Sequence, residues 1–314
     1  SISNNISSDG TAPGPDSLTG QTLDDIDFFN SVSGSEDLHI KKSSAAVNAG
    51  ADLSDQKYAV THDIDGAPRI DGSFDIGADE TATAFYRSVG PGSTTALETG
   101  SDGGGNDLTI SGSVATFSIS LDLSVGVGDA LQYDADNDGT VDSLAFISAR
   151  TDSRQFTLQS LTGTGAADCA TADQDWSLFR AYTSLENAES WTENTGMDDG
   201  LEDFDTLTAG VNDIVSLNAE WNITCFEDAP DTTDTTISGW VVAPQNFIRI
   251  YTPYRSSEVG VSQRHDGRLK DAAGDYTGYT IRLEQDQTVG ILSYTDYTRV
   301  EGIGIDLNNH LGAG

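Results

Sequence analysis

The chain has 314 residues, which is enough for two or three domains, and its 51 acidic and 15 basic side chains give a formal charge of −36. Such a surface repels nucleic acids and anionic lipid surfaces, so neither is expected as a partner. No apolar segment reaches the length of about 18 residues that a membrane-spanning helix needs. The acidic excess is equally consistent with solubility in a salty medium, with cation binding and with plain solvation.

Residues 38–80 carry the most specific motif. Leu38-His39-Ile40 is followed by SAAVNAG at 44–50, DIDGAPR at 63–69 and DIGADE at 75–80. These segments resemble the end of the right-handed parallel β-helix of bacterial surface proteins with a choice-of-anchor Q domain. There, FHL and SPAIDAG precede D-DG-PR and DIGAYE. The resemblance implies an extracellular, mostly non-catalytic protein, with terminal β-helix coils and a capping tail over residues 1–82. It names no ligand.

Glycine-rich breakers follow this region. Gly90-Pro91-Gly92 and Gly103-Gly104-Gly105 interrupt residues 83–105, which we interpret as a Gly/Ser-rich linker between domains.

Residues 106–200 are interpreted as a small β-domain. Apolar and polar residues alternate with period two at 108–117, 145–148 and 156–159, and short strands separated by turns predict a barrel or sandwich. One helix is predicted at 176–191, where apolar residues recur at close to the helical period of 3.6.

The sharpest chemical motif is DADNDGTVD at residues 134–142. Oxygen ligands at every second position, followed by a glycine, allow a loop to wrap a hard cation. The motif resembles the calcium loops of EF-hands, dockerins and thrombospondin-type repeats, although Ala145 stands where an EF-hand has its glutamate. The expected Ca²⁺ ligands are Asp134, Asp136, Asp138, the carbonyl of Thr140, and Asp142. The alternative is a solvated acidic hairpin with Asp138-Gly139 as its turn.

The other titratable residues carry weaker signals. A second acidic cluster, between Asp63 and Glu80, is interpreted as solvated side chains with Arg69 paired to one of them, and a calcium site is the alternative. The four histidines are scattered and show no zinc-binding spacing, and His39, in the position of the FHL motif, is interpreted as a packing residue. Cys169 and Cys225 are either one disulfide, as exported proteins often have, or two buried thiols.

Residues 201–314 return to strands. YTRVEGIGIDL at 297–307 resembles the YVRIEGLQI segment that opens bacterial parallel β-helices, and residues 247–252 and 279–283 resemble the capping strands before it. Between them lies a candidate glycan-binding or intersubunit patch, for which capping strands with surface arginines are the alternative. Its residues are Arg249, Tyr251, Tyr254 and Arg264.

Together these patterns predict an all-β protein with parallel β-helix-like coils at both ends, flanking a small β-barrel or sandwich domain with one short helix. Open coils at both ends would expose unpaired strand edges, and a head-to-tail interface that does not close gives a filament. We therefore expect a non-enzymatic extracellular homopolymer. The alternatives are a glycan-binding adhesin segment and a polysaccharide-active β-helix enzyme. The expected assembly residues are Ser1, Ile2, Asn4, Ile6, Val300, Ile303, Ile305 and Leu307.

Overall fold

The chain is mostly β-structure with two short helices over the residues that the computed structural model describes, so the all-β class is confirmed. Contacts divide it into two units, Ser1–Thr83 with Ile214–Ala219, and Ala84–Asp213 with Glu220–Gly314. Apart from Ile214–Ala219, the residues of the predicted domains 106–200 and 201–314 thus fall within one unit. The described residues are 4–11, 14, 16–32, 37–51, 61–66, 68–69, 74–77, 79–100, 105–173, 175–202, 204–205, 212–284 and 289–307.

The first unit contains a one-turn helix, α1 (Leu23–Ile26). Its first turn is closed by a reciprocal capping pair, in which the Thr22 hydroxyl accepts from the Asp25 N–H and the Asp25 carboxylate accepts from the Thr22 N–H. The helix ends at Asp27, whose left-handed backbone (φ 48°) turns the chain out of the helix.

A strand pair follows α1. Strand β1 (Phe28–Asn30) pairs antiparallel with β2 (Asp37–Ile40), and a parallel bridge joins Ile6 to Leu18. Stacked parallel coils are not present among the described residues of this unit, so the coils expected over 1–82 stay a prediction.

A buried arginine organises the DIGADE segment of the first unit. The Arg69 guanidinium lies 3.1 Å from the Glu80 carboxylate, and both side chains are about 5% exposed. The same guanidinium donates to the carbonyls of Asp75, Gly77 and Asp79. Arg69 therefore pairs with one acid of this cluster, as the sequence predicted, but Asp75 and Asp79 are buried and not solvated.

The remaining described strands follow in chain order. Their bounds are β3 Thr83–Val89, β4 Glu98–Thr99, β5 Leu108–Ser111, β6 Val114–Phe117, β7 Ala130–Tyr133, β8 Ser143–Arg150, β9 Gln155–Gln159, β10 Cys169–Asp173, β11 Ser177–Phe179, β12 Ala219–Cys225, β13 Thr235–Ile237, β14 Ile248–Tyr251, β15 Thr280–Arg282, β16 Ile291–Ser293, β17 Thr298–Glu301 and β18 Gly304–Asp306.

One antiparallel sheet of eight strands curls around the larger core. Its order is β10-β5-β6-β9-β8-β7-β11-β4. The period-two pattern places Leu108 and Ile110 fully inside, where Phe117 meets Trp176 edge to face with ring centroids 4.7 Å apart. The Trp176 indole N–H donates to the carbonyl of Asn106 at 3.0 Å, which satisfies its one polar atom. Instead of a closed barrel or a two-sheet sandwich, the alternating segments thus build one curled sheet.

The helix predicted at 176–191 forms only in its second half. Residues 177–179 are strand β11, because they complete the sheet between β7 and β4. Helix α2 (Leu185–Ser190) begins only after Ser184, whose hydroxyl accepts from the Asn187 N–H. Neither helix among the described residues has the length and apolar character needed to cross a membrane.

The described residues of the last third of the chain contain three parallel ladders. In the first ladder, β12, β14 and β17 pair in parallel, with β3 on the far side of β12. In the second ladder β13 pairs with β16, and in the third β15 pairs with β18. Ile223, Ile250 and Val300 lie in register across the first ladder, and their exposure is 3%, 0% and 48%. Burial is therefore complete at the inner strands and is lost at the last one.

The segment 83–105, expected as a linker, begins with a buried strand. Arg87 on β3 is fully buried, and its guanidinium donates to the Asp205 carboxylate at 2.9 Å and lies 3.6 Å from the Phe146 ring centroid. The Tyr182 hydroxyl also donates to Asp205. The contacts of Arg87 therefore hold β3, at the start of the predicted Gly/Ser-rich linker, in the core.

A second buried arginine joins the curled sheet to the ladders. Arg180, just after β11, donates to the Asp129 carboxylate at 2.8 Å and to the Asp228 carboxylate at 2.8 Å. The planar guanidinium also lies 3.6 Å from the Phe226 ring centroid. Asp129 precedes β7 and Asp228 follows β12, so one side chain joins both halves of the larger unit.

We expect Arg180→Met to lower the free energy of unfolding by about 3 to 5 kcal/mol, because Asp129 would remain buried without its cation. Urea unfolding followed by tryptophan fluorescence measures the loss. Arg154→Met is the matched control, since Arg154 is exposed. Equal stabilities of the two variants would contradict the anchoring role of Arg180.

Candidate functional site

Asp134 organises the acidic loop that follows β7. Its carboxylate is buried and accepts the N–H groups of Asn137 and Gly139, each at 2.6 Å. Gly139 has φ 90°, which lets the chain turn back toward β8. Burial raises the pKa of Asp134, but the backbone hydrogen bonds outweigh it and leave the pKa below its ordinary value. Asp134 is thus held ionised at the base of the loop.

Two exposed carboxylates complete a group of three. One oxygen each of Asp134, Asp136 and Asp138 lies within 4.8 Å of the others. The negative charge of Asp138 is the main cause that raises the pKa of Asp136, and burial and the charge of Asp142 add smaller contributions. A hard cation held between the three carboxylates would relieve this repulsion, and oxygen donors are the ligands that such cations take.

The other two predicted ligands are placed differently. The Asp142 carboxylate accepts from the Ser143 hydroxyl at 3.0 Å, and its N–H donates to the Tyr133 carbonyl. The Thr140 N–H donates to the Asp138 carboxylate at 2.9 Å. The structure therefore brings together three of the four predicted carboxylate ligands.

A second group of polar side chains surrounds His39 in the first unit. The imidazole Nδ1 contacts the Asp37 carboxylate, and Nε2 lies 2.9 Å from Asp65 Oδ2. Asp79, which accepts the Ile40 N–H at 2.7 Å, is also close enough to share a cation with His39 and Asp65. The hydrogen bond to Asp37, opposed by partial burial and reinforced by Asp65, raises the pKa of His39. His39, expected as a packing residue, is therefore one half of an ion pair.

The four residues of the predicted arginine-tyrosine patch lie together at the rim of the first ladder. Arg249 on β14 binds Glu301 on β17 through two hydrogen bonds, of 3.1 Å from Nε and 2.9 Å from Nη2. Its guanidinium lies 3.8 Å from the ring centroid of Tyr251, which is almost fully buried. The bidentate contact lowers the pKa of Glu301, so this carboxylate stays ionised.

Arg264 and Tyr254 form the exposed part of the patch. The Arg264 guanidinium lies 4.2 Å from the Tyr254 ring centroid and 4.0 Å from the Glu301 carboxylate. Its Nη2 is buried, and over the described residues it has no hydrogen-bond partner. The Tyr254 side chain is 40% exposed. Cationic and aromatic surface is thus concentrated at one place on an acidic protein.

The outer strands of the ladders carry uncovered apolar side chains. Val300 on β17 is 48% exposed and Ile305 on β18 is 54% exposed, although Ile281, in register with Ile305, is 1% exposed. Leu307 is exposed as well, and Ile303 is half-buried. The predicted assembly residues at this end therefore form an apolar edge.

At the other end of the chain, Ser1 and Ile2 lie outside the described residues. Asn4 and Ile6 are half-buried, and the Asn4 side-chain amide donates to the Ala49 carbonyl at 3.1 Å.

Of the two alternatives for Cys169 and Cys225, the structure has two buried thiols. Cys169 lies in β10 of the curled sheet and Cys225 at the end of β12, and neither is in a disulfide. Burial raises the pKa of the Cys169 thiol to about 11 and that of Cys225 well above its ordinary value. Both thiols are therefore protonated core residues.

Three site residues escaped sequence reasoning. Asp37 was not predicted, because its partner His39 was interpreted as a packing residue. Arg299 and Glu301 were not predicted, because they lie about 50 positions from Arg249 in the sequence. Their signal is the Arg-Val-Glu sequence on β17, whose period-two spacing places Arg299 and Glu301 on the same face. Only the register of β14 against β17 connects that face to Arg249.

Comparisons with protein-family models, curated proteins and solved structures gave no match to this chain.

The His39 ion pair should make the first unit less stable as pH rises. Its folded pKa is raised above 6.5, so its stabilisation is complete below pH 6.5 and is lost as pH rises through the folded pKa. His39→Gln should therefore lose more stability at about pH 5 than at about pH 8. Urea unfolding of both proteins and NMR titration of the His39 ring measure this, and a His39 pKa at or below 6.5 would contradict it.

Proposed function

We propose that this chain is a non-enzymatic, exported structural protein whose copies assemble head-to-tail by parallel stacking of β-strands. The observation that carries the proposal is the uncovered end of the ladders. The exposed Val300 and Ile305 continue stacks whose inner members are buried. Another layer of strands would bury both side chains and pair the outer edges of β17 and β18.

The ladder order supports coils of a parallel β-helix as the form of this stacking. Strands β14, β15 and β16 belong to three different ladders. The chain then returns to the ladder of β14, where β17 pairs with β14, and next to the ladder of β15, where β18 pairs with β15. A chain that visits separate ladders in turn and returns to the first one winds as a coil. Such a coil can add layers without limit, which a closed sheet cannot.

Resemblance supports the cellular location. The motifs at 38–80 and 297–307 resemble those of bacterial β-helix surface proteins, which favours an extracellular protein. The incoming layer in this proposal is the first segment of a second copy, around Asn4 and Ile6. A contact between one end and the other is heterologous and extends into a filament.

A single charge at the apolar edge should block assembly. Burying one valine side chain contributes about 1.5 to 3 kcal/mol, so Val300→Asp should raise the critical concentration for assembly about tenfold or more. Sedimentation and negative-stain electron microscopy of the purified chain measure this. Ile305→Asp should act alike, and deletion of residues 1–8 should abolish filaments.

Val261→Asp is the matched control, because Val261 is equally exposed, at 49%, but lies outside the three ladders. Wild-type protein that stays monomeric at all concentrations would overturn the filament. Glycan-array binding by such a monomer would favour the adhesin instead, for which the exposed Tyr254 beside Arg264 is the supporting observation.

We also propose that the loop at 134–142 binds Ca²⁺. Asp134, Asp136 and Asp138 would hold the ion, which would neutralise the loop and stiffen the adjoining β7–β8 hairpin.

Calcium should then stabilise the folded protein by mass action, by about 2.7 kcal/mol at a concentration one hundredfold above the dissociation constant. Differential scanning calorimetry in calcium and in chelator measures the shift in melting temperature. Asp136→Asn with Asp138→Asn should abolish the shift, while Asp198→Asn with Asp199→Asn, in another exposed acidic segment, should preserve it. An identical melting temperature in calcium and chelator would remove the claim.

A further inference from the structure

The outermost described strand of the first ladder, β17, repeats an arginine that has no further strand beside it among the described residues. In the register of β14 against β17, Arg249 lies opposite Arg299 and Tyr251 lies opposite Glu301. Arg249 reaches diagonally to Glu301, two residues further along the neighbouring strand. Arg299 holds the equivalent position on β17, one layer further out.

The Arg299 guanidinium is positioned but has no carboxylate. It lies 3.5 Å from the Phe247 ring centroid, which fixes its side chain along the ladder. Over the part of the chain that the structure describes, no acidic side chain forms an ion pair with it. Arg299 is exposed, as expected for a side chain at an outer edge.

The surroundings of Arg299 carry an excess of positive charge. Arg249 and Arg264 both approach Glu301, at 2.9 and 4.0 Å, and the charge of Arg299 also helps to lower the pKa of Glu301. Two guanidinium groups thus approach one carboxylate, and the charge of a third acts on it without contact. Two arginines directly opposite each other on paired strands repel, and a further carboxylate would offset this repulsion.

We propose that Arg299 and Arg264 receive a carboxylate from a second copy of this chain, and that this contact sets the register of stacking. It rests on the proposed function, because the second copy must dock on β17. The incoming carboxylate would repeat the diagonal contact that Arg249 makes with Glu301. The Asp or Glu of the second copy would therefore lie two residues beyond the residue opposite Arg299.

Charge complementarity identifies the occupant. The chain carries 51 acidic against 15 basic side chains, so the surface that a second copy presents is rich in carboxylates. The open arginine also lies beside Val300, where the proposed stacking buries apolar surface. A bidentate arginine-carboxylate contact is directional, so a slip of one residue would move the carboxylate to the opposite face of the strand.

The test measures the critical concentration for assembly of the full chain at low and high salt. Arg299→Glu should raise it about fivefold at low ionic strength, since an exposed ion pair is replaced by a repulsion. The effect should disappear at about 0.5 M salt, where exposed charges are screened. Arg299→Gln, which keeps a long side chain on Phe247, should show a smaller increase, and thermal melts of the variants should match the wild type.

Arg154→Glu is the matched control, because it makes the same change in net charge at an exposed arginine outside the ladders. If Arg299→Glu and Arg154→Glu assemble alike, the carboxylate contact is wrong and the apolar stacking stands. If the wild type does not assemble at all, the proposed function and this contact both fail.

A third outcome assigns the arginines to a free anion. Titration of the Val300→Asp variant with oligogalacturonate, in the calorimeter, tests this source of carboxylates. Binding that Arg299→Glu abolishes would overturn the second-copy contact, whereas absence of binding supports it.

Discussion

Arg180 is the side chain on which the larger unit depends. It ties Asp129, at the start of the curled sheet's central hairpin, to Asp228, at the start of the chain that runs through the ladders. A fully buried guanidinium is costly to desolvate, and only two carboxylates and the face of Phe226 together offset that cost. Gly90 is required beside it, because a Cβ there would meet both Arg180 and Asp228. Gly90, the first residue of the breaker at 90–92, is therefore a packing requirement of this ion cluster.

The same anchor gives the ladders a direction. Strand β12 lies next to β3 and close to the Arg180 cluster, β14 is buried as fully as β12, and cover is lost only at β17. Ile223 and Ile250 are buried because a strand lies on both sides of each, whereas Val300 has a neighbouring strand on one side only among the described residues. The last strand of a parallel ladder has an unpaired edge, and the other strands of the ladder cannot cover it. An additional layer would bury this edge, and this is the physical basis of the proposed assembly.

Sequence alone was sufficient where the information is local. Period-two alternation at 108–117 predicted strands β5 and β6, and the spacing of Asp134, Asp136 and Asp138 predicted three carboxylates that do come together. It was insufficient where tertiary contacts override local preference. Residues 177–179 have a helical period but pair between two strands, and the glycine-rich segment at 83–105 contains a core strand. Glu301 could not be assigned to Arg249, because the two residues are 52 positions apart and neither segment's sequence specifies the strand register that brings them together.

Electrostatics limits how such a chain can associate. At a formal charge of −36, two copies repel at long range, and physiological salt screens this repulsion only beyond about 8 Å. In the proposed assembly, contact is therefore expected where the local charge differs from the average. The rim of β17 is such a place, since Arg249 and Arg264 approach the Glu301 carboxylate and Arg299 lies on the same strand as Glu301. Arginines at this rim would favour an oriented approach, in which they meet an acidic surface of a second copy. Apolar burial would then supply most of the affinity, and the arginines would supply the orientation.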